Sequence, residues 1–276
     1  VWGGATNIAP ADDKLIRVQY PLSIDPYHQM LASIMAKKGA IGADNVVMDI
    51  PIGPSTKVHT AQDGQKLASD LINLGYRLGM HVECAITYGS SPIGRKVGPA
   101  LEVREALKVM ESMEGPNSLI EKSAALAGIM LEMGGAAPID RGKEMALETL
   151  RSGKALEKMK QIIEAQGGDP NITSDDIQVG QYTADLIAST DGYVIELDNK
   201  WIIEIARLAG SPNDKGAGIS IHKKMGEAVK KGDPILTIHA EKEFKLENAL
   251  TTAQRTNPII VEGMLLKRIP GIYGFQ

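Results

Sequence analysis

The chain has 276 residues, 43% of them hydrophobic and 23% charged, with a formal net charge of -4. These proportions describe a globular protein of one large or two ordinary domains, and they exclude disordered and collagen-like chains. The negative balance gives no general attraction to nucleic acid or to an anionic membrane, and no run of about 18 apolar residues is present to span a bilayer.

The only cysteine, Cys84, has no partner for an internal disulfide, and the sequence shows no charged-then-apolar leader. A cytoplasmic location is expected from both. The chain opens "VWGGATN", with Val in first place and an apolar, glycine-containing texture like the inside of a domain, so a fragment or a processed chain is expected.

In chain order, the first helix signal is Asp25 as N-cap with Pro26 at the first helical position. Met30, Leu31, Ile34 and Met35 follow as an apolar stripe, and Gly39 is expected to end it. "NVVMDIPIG" (45–53) reads as a buried strand, "DGQKLASDLINLGYRLGM" (63–80) as a helix on its leucine spacing, and "HVECAITYG" (81–89) as a second strand. Strand, helix, strand in this order predicts a parallel crossover.

A loop, "SSPIGRKVGPALE", then leads to helices expected near 99–113, 117–133, 141–151 and 153–166. "AQGGDPNITSDD" (165–176) is the clearest compositional break. Beyond it come short alternating runs, with helices near 200–208 and 242–254. The fold class expected is α/β: a mixed sheet flanked by helices over residues 1–166, followed by a smaller α+β domain over 167–276. There is no internal repeat.

Four residues carry the chemistry. Asp25 reads as a helix cap whose carboxylate accepts backbone N–H bonds, and equally as a general acid if its pKa is raised. Ser33 and Lys37 lie four apart and so project from one helix face, where a hydroxyl and an ammonium can read a carbonyl or ring nitrogen. Their plain alternatives are a bond from Ser33 to a carbonyl one turn back and a lysine whose tip reaches water. Lys57 follows the first strand, at the end where α/β proteins bind ligands, and suits an anionic or carbonyl-bearing substrate. Solvation is the plain alternative for a loop lysine.

The loop "YGSSPIGRKVGPALE" has three glycines and two cations but neither the dinucleotide nor the P-loop spacing, and "GGATN" is equally ambiguous. The five histidines show no zinc-site spacing. "HKKMGEAVKKGDPILTIHA" (222–240) has the cadence of a biotinyl or lipoyl half-barrel, yet no lysine stands at a hairpin tip between hydrophobic neighbours.

Several of these segments resemble, in order, the thymidine/pyrimidine-nucleoside phosphorylase family. They are "DPYHQMLASIMAKKGAIGADNVVMDIPIG", "SPIGRKVGPALEVREAL" and "GISIHKKMGEAVKKGDPILTIHA". "GGATNIAPADDKLIRVQYPLSIDP" and "ECAITYGSSPIGR" are most similar to the archaeal branch that acts on nucleoside 5′-monophosphates. The resemblance implies a pentosyltransferase: inorganic phosphate attacks the anomeric carbon of AMP, releasing adenine and ribose 1,5-bisphosphate, without a cofactor. It makes Asp25 the proton donor to the leaving base, Ser33 and Lys57 substrate-binding residues, and Lys37 a base-contacting lysine. It assigns residues 14–40 to a helical lobe and implies a homo-oligomer with no nucleic-acid or membrane partner.

Two departures stand out. Val18 occupies the place of an arginine in the pyrimidine enzymes, and the family's phosphate-binding loop is missing, so the 276 residues are expected to be inactive alone. The cation site of some relatives maps partly onto the backbone of Ile93 and Lys96 and onto Glu105, its other ligands lying outside these segments, and no metal is expected. A pyrimidine nucleoside phosphorylase and a non-enzymatic carrier stand as alternative readings.

Overall fold

The structure, a computed structural model, describes residues 8–19, 22 and 26–269. The chain divides into two compact units that interleave in sequence. The first takes the described residues up to Ser90 together with Glu121–Thr149, and the second takes Ser91–Ile120 and the described residues from Leu150 onward. The segments that change unit at residues 91–120 and 150–166 therefore cut the chain elsewhere than at the compositional break near 165–176.

Unit 1 begins with helix α1 (Pro10–Gln19), which the hydrophobic pattern does not announce. Helix α2 runs Tyr27–Ala40, with Pro26 in the capping position at ψ 124° and no side-chain cap. The start expected at Asp25 thus moves one residue on, because the extended Pro26 leaves the helix to begin behind it; Asp25 itself lies outside the described residues, as does "GGATN". Gly39 does not end the helix, which runs through Ala40 and stops at Ile41 and the left-handed Gly42 (φ 67°).

Strand β1 (Asn45–Ile52) pairs in parallel with β2 (His81–Tyr88), from Asn45 opposite His81 to Ile52 opposite Tyr88. Between them α3 (Ala61–Arg77) makes the expected crossover. Thr60 caps it, its hydroxyl accepting from Asp63 N–H, and the buried Leu67 and Leu71 face the strands. The core of this unit joins these leucines to Leu31, Met35, Val46, Met48 and Ile50. Asp49, on the other side of β1, takes the Thr87 hydroxyl at 2.5 Å and Lys122 at 2.7 Å.

Helices α4 (Pro99–Ser112), α5 (Asn117–Met133), α6 (Gly142–Arg151) and α7 (Lys154–Ala165) follow within one or two residues of their expected places. The strand β3 (Lys96–Val97) was not expected: two residues of the glycine-rich loop pair antiparallel with Ser220 and Ile219.

Unit 2 is built on a four-stranded sheet in the order β3-β6-β8-β4, with β6 (Gly218–Ile221), β8 (Pro234–Ala240) and β4 (Tyr182–Ile187). A three-stranded sheet holds β7 (Ala228–Val229), β5 (Gly192–Leu197) and β9 (Ile259–Glu262). Helices α8 (Asn199–Ala209) and α9 (Glu243–Thr256) cover the core of Ile202, Ile205, Ile219, Ile221, Leu236 and Ile238. Gly98 (φ 130°) and Gly218 stand face to face where β3 meets β6, and a β-carbon at either would overlap the other strand's backbone. That close approach needs glycine on both sides. Among the described residues no helix is long and apolar enough to cross a membrane.

Candidate active site

The carboxyl ends of β1 and β2 place the loop Gly53–His59 at the edge of unit 1. The loop is held by its own backbone and by one hydroxyl. Gly53 N–H donates to Val58 C=O at 3.2 Å, while Thr56 Oγ1 donates to Gly53 C=O at 2.9 Å and Val58 C=O at 2.6 Å. Ile52 and Val58 form a parallel bridge. A loop with its ends tied in this way presents Lys57 from a fixed base.

Lys57 lines a hollow of about 400 Å³ with Tyr27, Met30, His59, Asp63 and Lys66. Tyr27 opens α2 and is anchored to α3: its hydroxyl donates to Asp70 at 2.6 Å, and Lys66 Nζ stands 5.6 Å from its ring. Burial, followed by the hydrogen bond to Asp70 and its charge, pushes the Tyr27 phenol up to about 12. The hollow therefore brings two ammonium groups, one carboxylate, an imidazole and an aromatic edge together, a set with a cationic excess that suits an anionic, ring-bearing ligand.

Ser33 and Lys37 do share one face of α2, and a third residue explains what they do there. Ser33 Oγ donates to Asp12 Oδ2 at 2.8 Å, and Lys37 Nζ lies 3.1 Å from the same oxygen. Asp12 comes from α1 and is 7% exposed; among the described residues its Oδ1 is buried without a hydrogen-bond partner. The plain reading of Ser33, a bond to a carbonyl one turn back, gives way to this side-chain bond, and Lys37 keeps about a third of its side chain exposed.

Neither residue lines the hollow that contains Lys57. The structure thus places two of the expected site residues together on Asp12, sets Lys57 in the hollow beside the helix's first turn, and leaves Asp25 outside the described residues. Sequence reasoning missed Asp12, though "APADDK" carried a usable signal: Pro at the first helical turn followed by two acids is a helix start.

Comparison with known proteins defines the class. Residues 20–156 match the a/b domain of the glycosyl transferase family, and residues 193–260 match the pyrimidine nucleoside phosphorylase C-terminal domain. Both matched stretches resemble the thymidine/pyrimidine-nucleoside phosphorylase family. The chain is 90% identical over all 276 residues to the AMP phosphorylase of Methanosarcina barkeri, covering 54% of that protein. It is 68% identical over 269 residues to the AMP phosphorylase of Methanococcoides burtonii (98% of this chain, 53% of that protein). With that of Thermococcus kodakarensis it shares 58% identity over 272 residues (99% and 54%). The chain spans about half the length of the curated relatives it matches.

Proposed function

We propose that this chain serves the phosphorolysis of a nucleoside 5′-monophosphate, AMP with inorganic phosphate giving adenine and ribose 1,5-bisphosphate. The observation that carries the reading is the 90% identity, over every residue of the chain, with a protein named AMP phosphorylase. In this reading Asp25 gives a proton to the departing base, which must be neutralised as the glycosidic bond breaks. Ser33 and Lys57 hold the substrate, Lys37 contacts the base, and fixed cations stabilise charge that grows toward the transition state. The hollow containing Lys57 supports the reading by its cationic lining. No cofactor is required, phosphate being the co-substrate, and the enzyme works as a homo-oligomer in the cytoplasm.

The chain lacks a phosphate-binding loop like that of the family, so the 276 residues alone are expected to release little or no adenine. The experiment is chromatography of free base from AMP, CMP, UMP, uridine and thymidine with phosphate, run on the full-length protein and on the 276-residue chain. Adenine release from AMP by the full-length protein supports the reading. Preference for uridine or thymidine would replace it with a pyrimidine nucleoside phosphorylase, and robust turnover by the 276 residues would overturn the expected inactivity. Absence of any turnover, with a covalent mass increase on a lysine, would favour the carrier.

A further inference from the structure

We propose that unit 2 carries a second ligand site, separate from the hollow at Lys57, which seats a small phosphate-bearing anion on Lys96 and Arg104. The site is a cavity of about 570 Å³ between the four-stranded sheet and α4. Lys96 and Ser220 line it, and they begin a polar row that crosses all four strands. In the register of the sheet, Lys96 lies opposite Ser220, Ser220 opposite Thr237, and Thr237 opposite Asp185.

Such a row is costly inside a protein unless its members are bonded. Here they are. Lys96 Nζ donates to Ser220 Oγ at 2.9 Å, and Ser220 Oγ is 2.9 Å from His239 Nε2. Thr237 Oγ1 donates to Asp185 at 2.5 Å and is 2.7 Å from His222 Nε2. Ser220 is only 3% exposed. A sheet face that needed only packing would carry apolar side chains at these places, as the opposite face does with Ile219, Ile221 and Ile238.

The charges around the cavity do not cancel. Arg95, Lys96, Arg104 and Lys108 line it against Glu105 and Glu114. Glu114 pairs with Lys108 at 3.1 Å, while both oxygens of Glu105 accept the Arg95 backbone N–H at 3.0 and 3.1 Å and leave its charge facing the cations. Arg95 is taken by Glu227 at 2.5 Å. Among the described residues Lys96 forms no ion pair, and Arg104 has only the fully solvated Asp175 at 3.7 Å, a contact worth little. Burial lowers the Lys96 ammonium below its ordinary range, the Glu105 carboxylate opposes that, and Arg104, Arg95 and Lys108 add to it as like charges. An anion entering the cavity meets an ammonium without an ion pair and a guanidinium whose planar fork fits phosphate oxygens.

The volume exceeds what free phosphate fills and lies in the range of small-metabolite pockets. Leu101, Pro116 and Val179 supply an apolar wall for the remainder of a sugar phosphate or nucleotide. The proposal is independent of the phosphorolytic reading, since it uses none of Asp25, Ser33, Lys37 and Lys57.

Calorimetric titration of the full-length protein tests it, with ribose 5-phosphate and inorganic phosphate as separate probes. The variants are Lys96→Gln, Arg104→Gln and Lys57→Ala. Two ribose 5-phosphate molecules per wild-type chain are expected. Lys96→Gln and Arg104→Gln should each weaken one of the two sites at least tenfold, and Lys57→Ala should leave that site intact. Arg104 is partly exposed, so its variant keeps the test alive if Lys96→Gln fails to fold.

Ribose 5-phosphate binding tenfold tighter than inorganic phosphate assigns an ester, and equal affinities assign free phosphate. Either result supports the seat. A single site abolished by Lys57→Ala, or two sites untouched by both unit 2 variants, would overturn the proposal.

Discussion

At residue 12 a buried carboxylate receives a hydroxyl and an ammonium that stand one turn apart on the next helix. Removing it takes the acceptor from Ser33 and Lys37 and leaves the ammonium, about a third exposed, without its counter-charge. Asp12→Ala is expected to lower stability by about 1–3 kcal/mol in urea unfolding, the usual cost of an unsatisfied polar partner, while Asp12→Asn should cost less because it keeps an acceptor. If Ser33 and Lys37 contact the base, the same substitutions loosen their aim. We expect KM for AMP to rise about tenfold, equivalent to about 1.4 kcal/mol, with kcat changed far less. Unchanged KM in both variants would reduce Asp12 to a structural role. The sequence showed Ser33 and Lys37 as a pair by their spacing, but their partner lies 21 residues away from Ser33 in a separate helix, and local pattern carries no trace of that meeting.

Elements with local causes were legible. The crossover β1-α3-β2 follows from an apolar β-branched run, a leucine ladder with Thr60 ahead of it, and a second apolar run, and each of these signals sits within the element it specifies. The strand β3 was not legible, because two residues in a glycine-rich loop become a strand only through partners more than 120 residues later. Glycines divide along the same line. Gly39 sits inside the last turn of α2 with open space around its α-carbon, so Gly39→Ala should stabilise the protein by about 0.4–1 kcal/mol, through the unfolded chain. Gly98→Ala should do the opposite, costing about 1–3 kcal/mol for its backbone conformation alone and more for the overlap with the Ala217 carbonyl. Thermal melts of the two variants check both signs, and a Gly98→Ala protein as stable as wild type would contradict the close approach of β3 and β6.

For the molecule as a whole, the two histidines beneath the unit 2 cavity set an acid limit. Burial, then the charge of Lys96, depresses both His222 and His239 below the ordinary 6.5. Arg95 and Lys223 add to this at His222, and His222 itself adds to it at His239; Asp185 opposes it at both. The folded state therefore prefers the neutral rings and the unfolded state takes up protons first. Stability from these groups is fully present above about pH 6.5 and is lost as pH falls through the lower folded values. Calorimetry from pH 8 to pH 5 should show Tm declining below about 6.5. In the His222→Gln/His239→Gln protein that decline should be shallower, and equal slopes would remove the histidines from the account. The interleaved course of the chain carries a different consequence. One cut anywhere between residues 165 and 176, where composition invites it, would leave α4 and β3 on the wrong piece, separated from the sheet they complete. Obtaining the first unit by itself takes a splice that joins residue 90 directly to residue 121, and obtaining the second takes a graft of 91–120 onto the remainder. For protein engineering, the two units are a braid rather than beads on a string.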